Sequence, residues 1–206
     1  MKRTLFLLVV CLSLSIVGNA QTRRSVRTTT KTVKTSTEPS ANGKFKFSTD
    51  GFFNDNDSKT FVVITAQGKK SSDIMSSVVS TLSSMYTNPS KVVSTLGDNI
   101  INVTASSKLD VVNDLIMVVQ RYTFTYNIKI EIKDGKIKVD SPCFSNINRR
   151  DIGMVSRTTM DNKNQDTSEF FGDLSKADKT SIAELEEVFN SHVTKIVSGL
   201  SSNSDW

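Results

Sequence analysis

The sequence predicts an α+β domain in which an antiparallel sheet carries two helices on one face, in the order strand, helix, four strands, helix. Three observations carry this reading. Residues 125–140, TYNIKIEIKDGKIKVD, alternate apolar and polar side chains on both sides of Asp134-Gly135. Residues 71–88 and 178–199 instead repeat their apolar side chains at helical spacing.

Ahead of these elements the chain reads as leader and arm. Lys2 and Arg3 precede an apolar run from Leu5 to Val17, and Gly18-Asn19-Ala20 follows. This is the pattern of a secretory signal peptide, residues 1–20, cut after Ala20; the run is too short for a membrane span. The product is expected to be exported, periplasmic or extracellular. Cys11 leaves with the leader, so Cys143 stands alone and no intramolecular disulfide forms. Residues 21–43 form a Thr/Ser-rich basic arm, with Arg23, Arg24, Arg27, Lys31 and Lys34 against Glu38. So few apolar residues predict disorder. The arm holds most of the excess behind the formal charge of +5, leaving the single domain at 44–200 close to neutral. A nucleic-acid partner would call for a basic excess on the fold itself and is not expected. The arm serves either as a passive spacer or as a weak contact to an anionic surface. Residues 201–206 read as a flexible tail.

Within the domain, Phe45, Phe47, Phe52 and Phe53 crowd one short window. They read as a strand or flap over the open end of the core, with an aromatic contact patch as the functional alternative. FNDNDSK (53–59) lacks the Gly and distal Glu of a calcium loop and reads as a turn. KTFVVITAQG (59–68) is a strand closed by Gly68. The first helix, capped by Ser71 or Ser72 and ended at Asn88-Pro89, gathers Ile74, Met75, Val78, Val79, Leu82, Met85 and Tyr86 in a sector of about 140°. Ser76, Ser77, Ser80, Ser83 and Ser84 fall on the other side, which is solvated or docks a partner. KVVSTLGDNIINVTAS (91–106) reads as a hairpin around Gly97-Asp98, and 109–119 fits a helix or a buried strand equally well.

The 125–140 hairpin is the best specified element. A type I′ turn at Asp134-Gly135 pairs Ile132 with Ile137 and Ile130 with Val139 on the core face. On the wet face it pairs Glu131 with Lys138 and Lys129 with Asp140. It is scaffold, with no catalytic residue. Residues 144–173 read as polar and irregular. The last helix, 178–199, has the stripe Ile182, Leu185, Phe189, Val193, Ile196 and Leu200. Ser181 and Glu184 form its capping box and Gly199 its end.

Chemistry-bearing residues are few. His192 is the only histidine, about 60° from the centre of the last helix's stripe, where it would touch the sheet edge. With Cys143 it is too small a set for zinc. A Cys143–His192 nucleophile pair would need a lowered thiol pKa, yet Cys143 follows Pro142 with no helix N-terminus in view. Glu184, Glu186 and Glu187 read as solvated charge on the outer side of a helix. Hydrolase, zinc-protease and phosphate-loop signatures are missing. No catalytic, cofactor-binding or metal-ligating residue is assigned, and no cofactor.

Two stretches, FVVITAQGKKSSDIMSSVV and YNIKIEIKDGKIKV, resemble a family of small exported bacterial domains of unknown function with a TBP-like fold. The matching pattern is a strand, an amphipathic helix, short strands and a Y-x-hydrophobic-K-I-E-x-K-D-G hairpin, over about residues 45–145. The resemblance implies the fold and export, and no known reaction. The expected function is a non-enzymatic exported module binding a protein or other component of the cell envelope or its surroundings. The alternatives are a thiol enzyme using Cys143 and a structural protein that self-assembles through its sheet edges.

Overall fold

A computed structural model describes residues 38–113, 117–156 and 158–202. The 1–20 leader and most of the 21–43 arm lie outside the described residues. The α+β reading holds: a large antiparallel sheet with helices on one face. The arm's boundary shifts, because β1 (Ser40–Ala41) already pairs with β4 (Phe61–Thr65) through Ser40–Thr65 and Ala41–Ile64. The Asn42 side chain extends this edge by accepting the Val63 N–H at 2.8 Å.

The phenylalanine window is a separate hairpin of β2 (Phe45–Ser48) and β3 (Gly51–Asn54). Phe45 and Phe52 are buried, as the flap reading expects. Asn54, fully buried, ties the hairpin down: its amide donates to Asn42 Oδ1 and to the Phe61 carbonyl. Gly43 is obligatory beside it, since a Cβ there would lie 2.0 Å from Asn54 Oδ1.

Helix α1 (Ser71–Ser84) and the single turn α2 (Pro89–Val92) lead into β5 (Val93–Leu96) and β6 (Ile100–Asn113). The ambiguous 109–119 stretch therefore belongs to two strands, the end of β6 and the start of β7 (Val118–Lys133). β8 (Lys136–Asp140), β9 (Cys143–Gly153), β10 (Thr159–Gln165), α3 (Thr167–Leu174) and α4 (Lys179–Ser202) complete the chain. Residues 144–173 are thus regular, contrary to expectation. Their strands carry little apolar patterning because polar side chains occupy both faces, and α3 is short. Its signal was the capping box of Asp166 and Glu169 ahead of Phe170-Phe171.

β7 is the spine. One edge pairs with β6 from Val118 to Glu131. The other meets β9 along its first part and β8 at its end. β8 and β9 are one edge interrupted at Pro142, which has no N–H for the ladder. A second irregularity sits at Asn146 (φ +51°), where β9 places Asn146 and Ile147 against Phe124 alone, a bulge. β4 then pairs with β8, and β10 with β9.

The hairpin register is the expected one for Ile130–Val139, Glu131–Lys138 and Ile132–Ile137. Its turn is not type I′: Gly135 has φ +70°, but Asp134 is not among the positive-φ residues. The reason is a second task. Asp134 Oδ1 accepts the Ser71 N–H at 2.7 Å and caps α1 from across the molecule, so neither Ser71 nor Ser72 does so. The Gly135 N–H donates to the Lys69 carbonyl at 3.0 Å, locking turn to loop. The expected Lys129–Asp140 pair is replaced by pairs along the strands, Lys129–Glu131 at 2.6 Å and Lys138–Asp140 at 2.8 Å.

On α4 the stripe from Leu185 to Leu200 is buried and Ile182 only half so. Asp178, not a Ser181–Glu184 box, caps it, accepting from the Thr180 and Ser181 N–H groups. The helix also runs through Gly199 to Ser202, into the expected tail. Gly199 is a packing glycine: a Cβ would lie 2.1 Å from Thr81 Oγ1 on α1. Ser77 is buried on the same seam and donates to the Gly199 carbonyl, so part of the serine face docks α4.

Two measurements test these contacts. Gly135→Val should lose about 1–2 kcal/mol in denaturant melts, the penalty of a side chain in the left-handed region; an unchanged midpoint would refute a structural role for that turn. Gly199→Ala should destabilise by about 1–2 kcal/mol through overpacking, yet become neutral or stabilising with Thr81→Ala, since alanine is the better helix former. Equal effects in both backgrounds would show the Thr81 contact to be irrelevant.

Candidate functional site

The helices cover only one face of the sheet. Tyr122, Phe124, Tyr126, Ile128, Ile130 and Ile132 of β7 point into the core. Their alternate neighbours, Arg121 to Lys133, point the other way, as strand geometry requires. No helix packs on that second face among the described residues. It is the candidate interface.

Its centre is hydroxyls and amides held in register. Thr104 lies opposite Asn127, and Ser106 opposite Thr125. The Asn127 amide donates to Thr104 Oγ1 at 2.8 Å, and the Ser106 and Thr125 hydroxyls are 3.4 Å apart. Beyond them Arg121 grips Asp110 with two hydrogen bonds, at 2.7 and 2.6 Å. That bond first, opposed by partial burial, holds the Asp110 carboxyl below its ordinary range. At the other end Glu131 lies between Lys129 and Lys138. Cys143 is exposed on this face, opposite Asn127.

His192 is on the far side. It is 2% exposed, not a boundary residue. Its ring lies against Tyr126, so β7 separates it from Cys143, and the two do not form a pair. Nδ1 lies 2.9 Å from the Val188 carbonyl and Nε2 2.5 Å from the Tyr86 hydroxyl, which is 3.4 Å from the Tyr126 hydroxyl. A carbonyl can only accept, so Nδ1 carries the proton, and Nε2 accepts from Tyr86. Burial pushes His192 below its ordinary pKa and pushes Tyr86 up.

Two more buried polar groups on α4 escaped the sequence reading. Glu186 is buried, where solvated charge was expected: Oε1 accepts the Phe47 N–H at 2.9 Å and Oε2 the Lys46 ammonium at 2.8 Å. One turn on, Asn190 accepts from the Phe45 N–H at 2.8 Å and donates to the Phe45 carbonyl at 3.0 Å. A helix face thus supplies the hydrogen bonds that a neighbouring strand would have given β2. Glu186 and Asn190 are four apart and flank the apolar stripe, the one clue in sequence.

A further polar cluster lies under α3. Arg149 grips Asp151 and reaches Asp173, which also accepts from Gln165 and Tyr122. Burial raises the Asp173 pKa, but these bonds outweigh it and hold the carboxyl below the ordinary range. A cleft of about 510 Å³ lies between β1 and α4 beside Val193 and Val197. Its amide, Asn190, is already engaged by Phe45. Among the described residues no three His, Cys, Asp or Glu side chains converge to hold a metal ion, and no helix is long and apolar enough to cross a membrane.

The sequence matches no family model and no curated protein. The structure is similar to a DUF4468 family protein from Bacteroides ovatus, at TM-score 0.46 and 10% identity, over 68% of this chain and 84% of that one. It is also similar to a TBP-like protein from Parabacteroides distasonis, at TM-score 0.43 and 12% identity, over 66% and 90%. Both names correspond to the resemblance read from the sequence.

The buried imidazole makes stability pH-dependent. Folding lowers the His192 pKa, so on acidification the unfolded chain takes up a proton, near its ordinary 6.5, before the folded protein does. Stability should be level above about pH 7.5 and fall towards about pH 5.5, a range above the titration of the ion-paired carboxylates. His192→Gln should flatten that slope in melts across the same range. An equal slope in the variant would place the proton uptake elsewhere.

Proposed function

We propose that the protein is an exported, non-enzymatic binding module that presents the uncovered face of its sheet to a macromolecular partner in the cell envelope or outside the cell. The observation that carries this reading is that face itself: a wide, uncovered array of hydroxyls and amides in fixed register, with charge at its two ends. Export rests on the leader pattern of residues 1–20. A surface of short polar side chains in a rigid ladder loses little conformational entropy when it is covered, which favours recognition. The separation of Cys143 from His192 by the sheet supports binding over thiol catalysis. The exposed edge of β10 is the feature that the self-assembly alternative would use.

Site-specific photo-crosslinking in the native envelope tests the proposal. Probes at Thr104 and Asn127 report the open face, and probes at Thr194 and Lys195 report the outer side of α4. Discrete adducts should form from the first pair and not from the second. Adducts from α4 alone, or equally from both, would sink the open-face reading; an adduct at the mass of two copies would favour self-assembly.

A further inference from the structure

We propose that the tip of the β7–β8 hairpin and the β4–α1 loop together form a binding site for a phosphate-class oxyanion. The site lies at the hairpin end of the open face. It deepens the binding-module reading by naming a ligand class, and anion binding in solution is measured without any envelope partner, so the two succeed or fail separately.

Four lysines meet here: Lys69 and Lys70 from the loop, Lys133 and Lys136 from the two strands. Backbone bonds hold them together, Gly135 N–H to the Lys69 carbonyl at 3.0 Å and Ala66 N–H to the Gly135 carbonyl at 2.8 Å. None of the four has a salt bridge among the described residues, whereas nearby Lys129 and Lys138 do. Lys69, Lys70 and Lys136 line a depression of about 440 Å³ in which Asp134 is the only carboxylate. The N-cap residue of α1, Lys70, lines the same depression, so the helix start adjoins it and adds partial positive charge. Asp134 shows what that position attracts, since its carboxylate already takes the Ser71 N–H. One resident carboxylate against the three ammonium groups that line the depression leaves a surplus of positive charge.

The arrangement also works against folding. Lys133 and Lys136 lie directly opposite in the last pair before the turn, a like-charge juxtaposition that destabilises a hairpin. One acidic residue at either position would relieve it. A local conflict of this kind, in an otherwise consistent element, is the mark of a functional position. Phosphate-class oxyanions fit because each carries several acceptor oxygens and more than one negative charge, matched by several ammonium donors.

The test titrates the full chain with pyrophosphate at low ionic strength and follows backbone amides by NMR. Saturable shifts should appear at Gly68–Ser72 and Lys133–Lys136 and vanish at high salt. Lys69→Gln/Lys70→Gln/Lys136→Gln should weaken binding by about tenfold or more. Neutralising Arg23, Arg24, Arg27, Lys31 and Lys34 should leave these shifts in place. Lys136→Glu should raise the melting temperature while weakening binding, a combination that a purely structural lysine would not give. Phosphatidylglycerol vesicles, with phosphatidylcholine as control, then separate the sources. Binding displaced by pyrophosphate identifies a lipid-borne anion; pyrophosphate binding without vesicle binding identifies a free one. No saturable shift at loop and turn, loss of binding only on neutralising the arm, or a lower melting temperature for Lys136→Glu would overturn the proposal.

Discussion

The contact on which the rest of this structure depends is a layer of aromatic rings between the sheet and what covers it. Phe144 of β9 touches Phe52, Phe124, Phe170, Phe171 and Phe189, with centroids 5.4–5.9 Å away. Those rings come from β3, β7, α3 and α4. That layer joins all four to one another and to β9, where backbone pairing stops at the edges of each sheet. Each such pair adds about 0.5–1.5 kcal/mol beyond the area it buries, and the tilted and edge-on geometries restrict how the elements sit. The open face is a consequence: from Tyr122 to Ile132 the large apolar groups of β7 lie on one side, and the alternate residues from Arg121 to Lys133 are hydroxyls, amides and charges.

What the sequence made legible follows from periodicity. Period-two alternation in TYNIKIEIKDGKIKVD determined the register of Ile130, Ile132, Ile137 and Val139, since a slip of one residue would expose every isoleucine. The apolar stripe from Leu185 to Leu200 was equally plain. The open face itself was readable as the odd-numbered residues of β7, though not which strands would flank them. Residues 144–173 were opaque because their strands join at an edge and face polar partners on both sides, so Asn148, Arg149 and Asp151 show no apolar rhythm. The capping role of Asp134 was hidden as well, since it lies 63 residues from the N–H it binds. Hydrogen bonds across such separations leave no local signature.

The polar residues of α4 raise a different point. Asn190 and Glu186 are buried on the face that should be uniformly apolar, and their cost is offset only because every hydrogen-bonding group of β2 that meets them is paired. An apolar replacement of either would leave the Phe45 or Phe47 backbone N–H without an acceptor. These two residues therefore determine which strand lies on the helix and in what alignment, something that ring packing alone would leave loose. His192, two residues on from Asn190, links Tyr86 beside α1 to the same helix.

The pairing of Phe45 with Asn190 joins positions 145 residues apart. From β5 to β10 nearly every strand pairs with its immediate successor, so that part of the sheet closes through contacts local in the chain. The N-terminal hairpin has no such option. Its outer edge is completed by α4, far along the chain, so the Phe45 and Phe52 rings are covered only once α4 has docked. Order in the N-terminal hairpin is therefore contingent on the far end of the domain, and loss of α4 would unseat it.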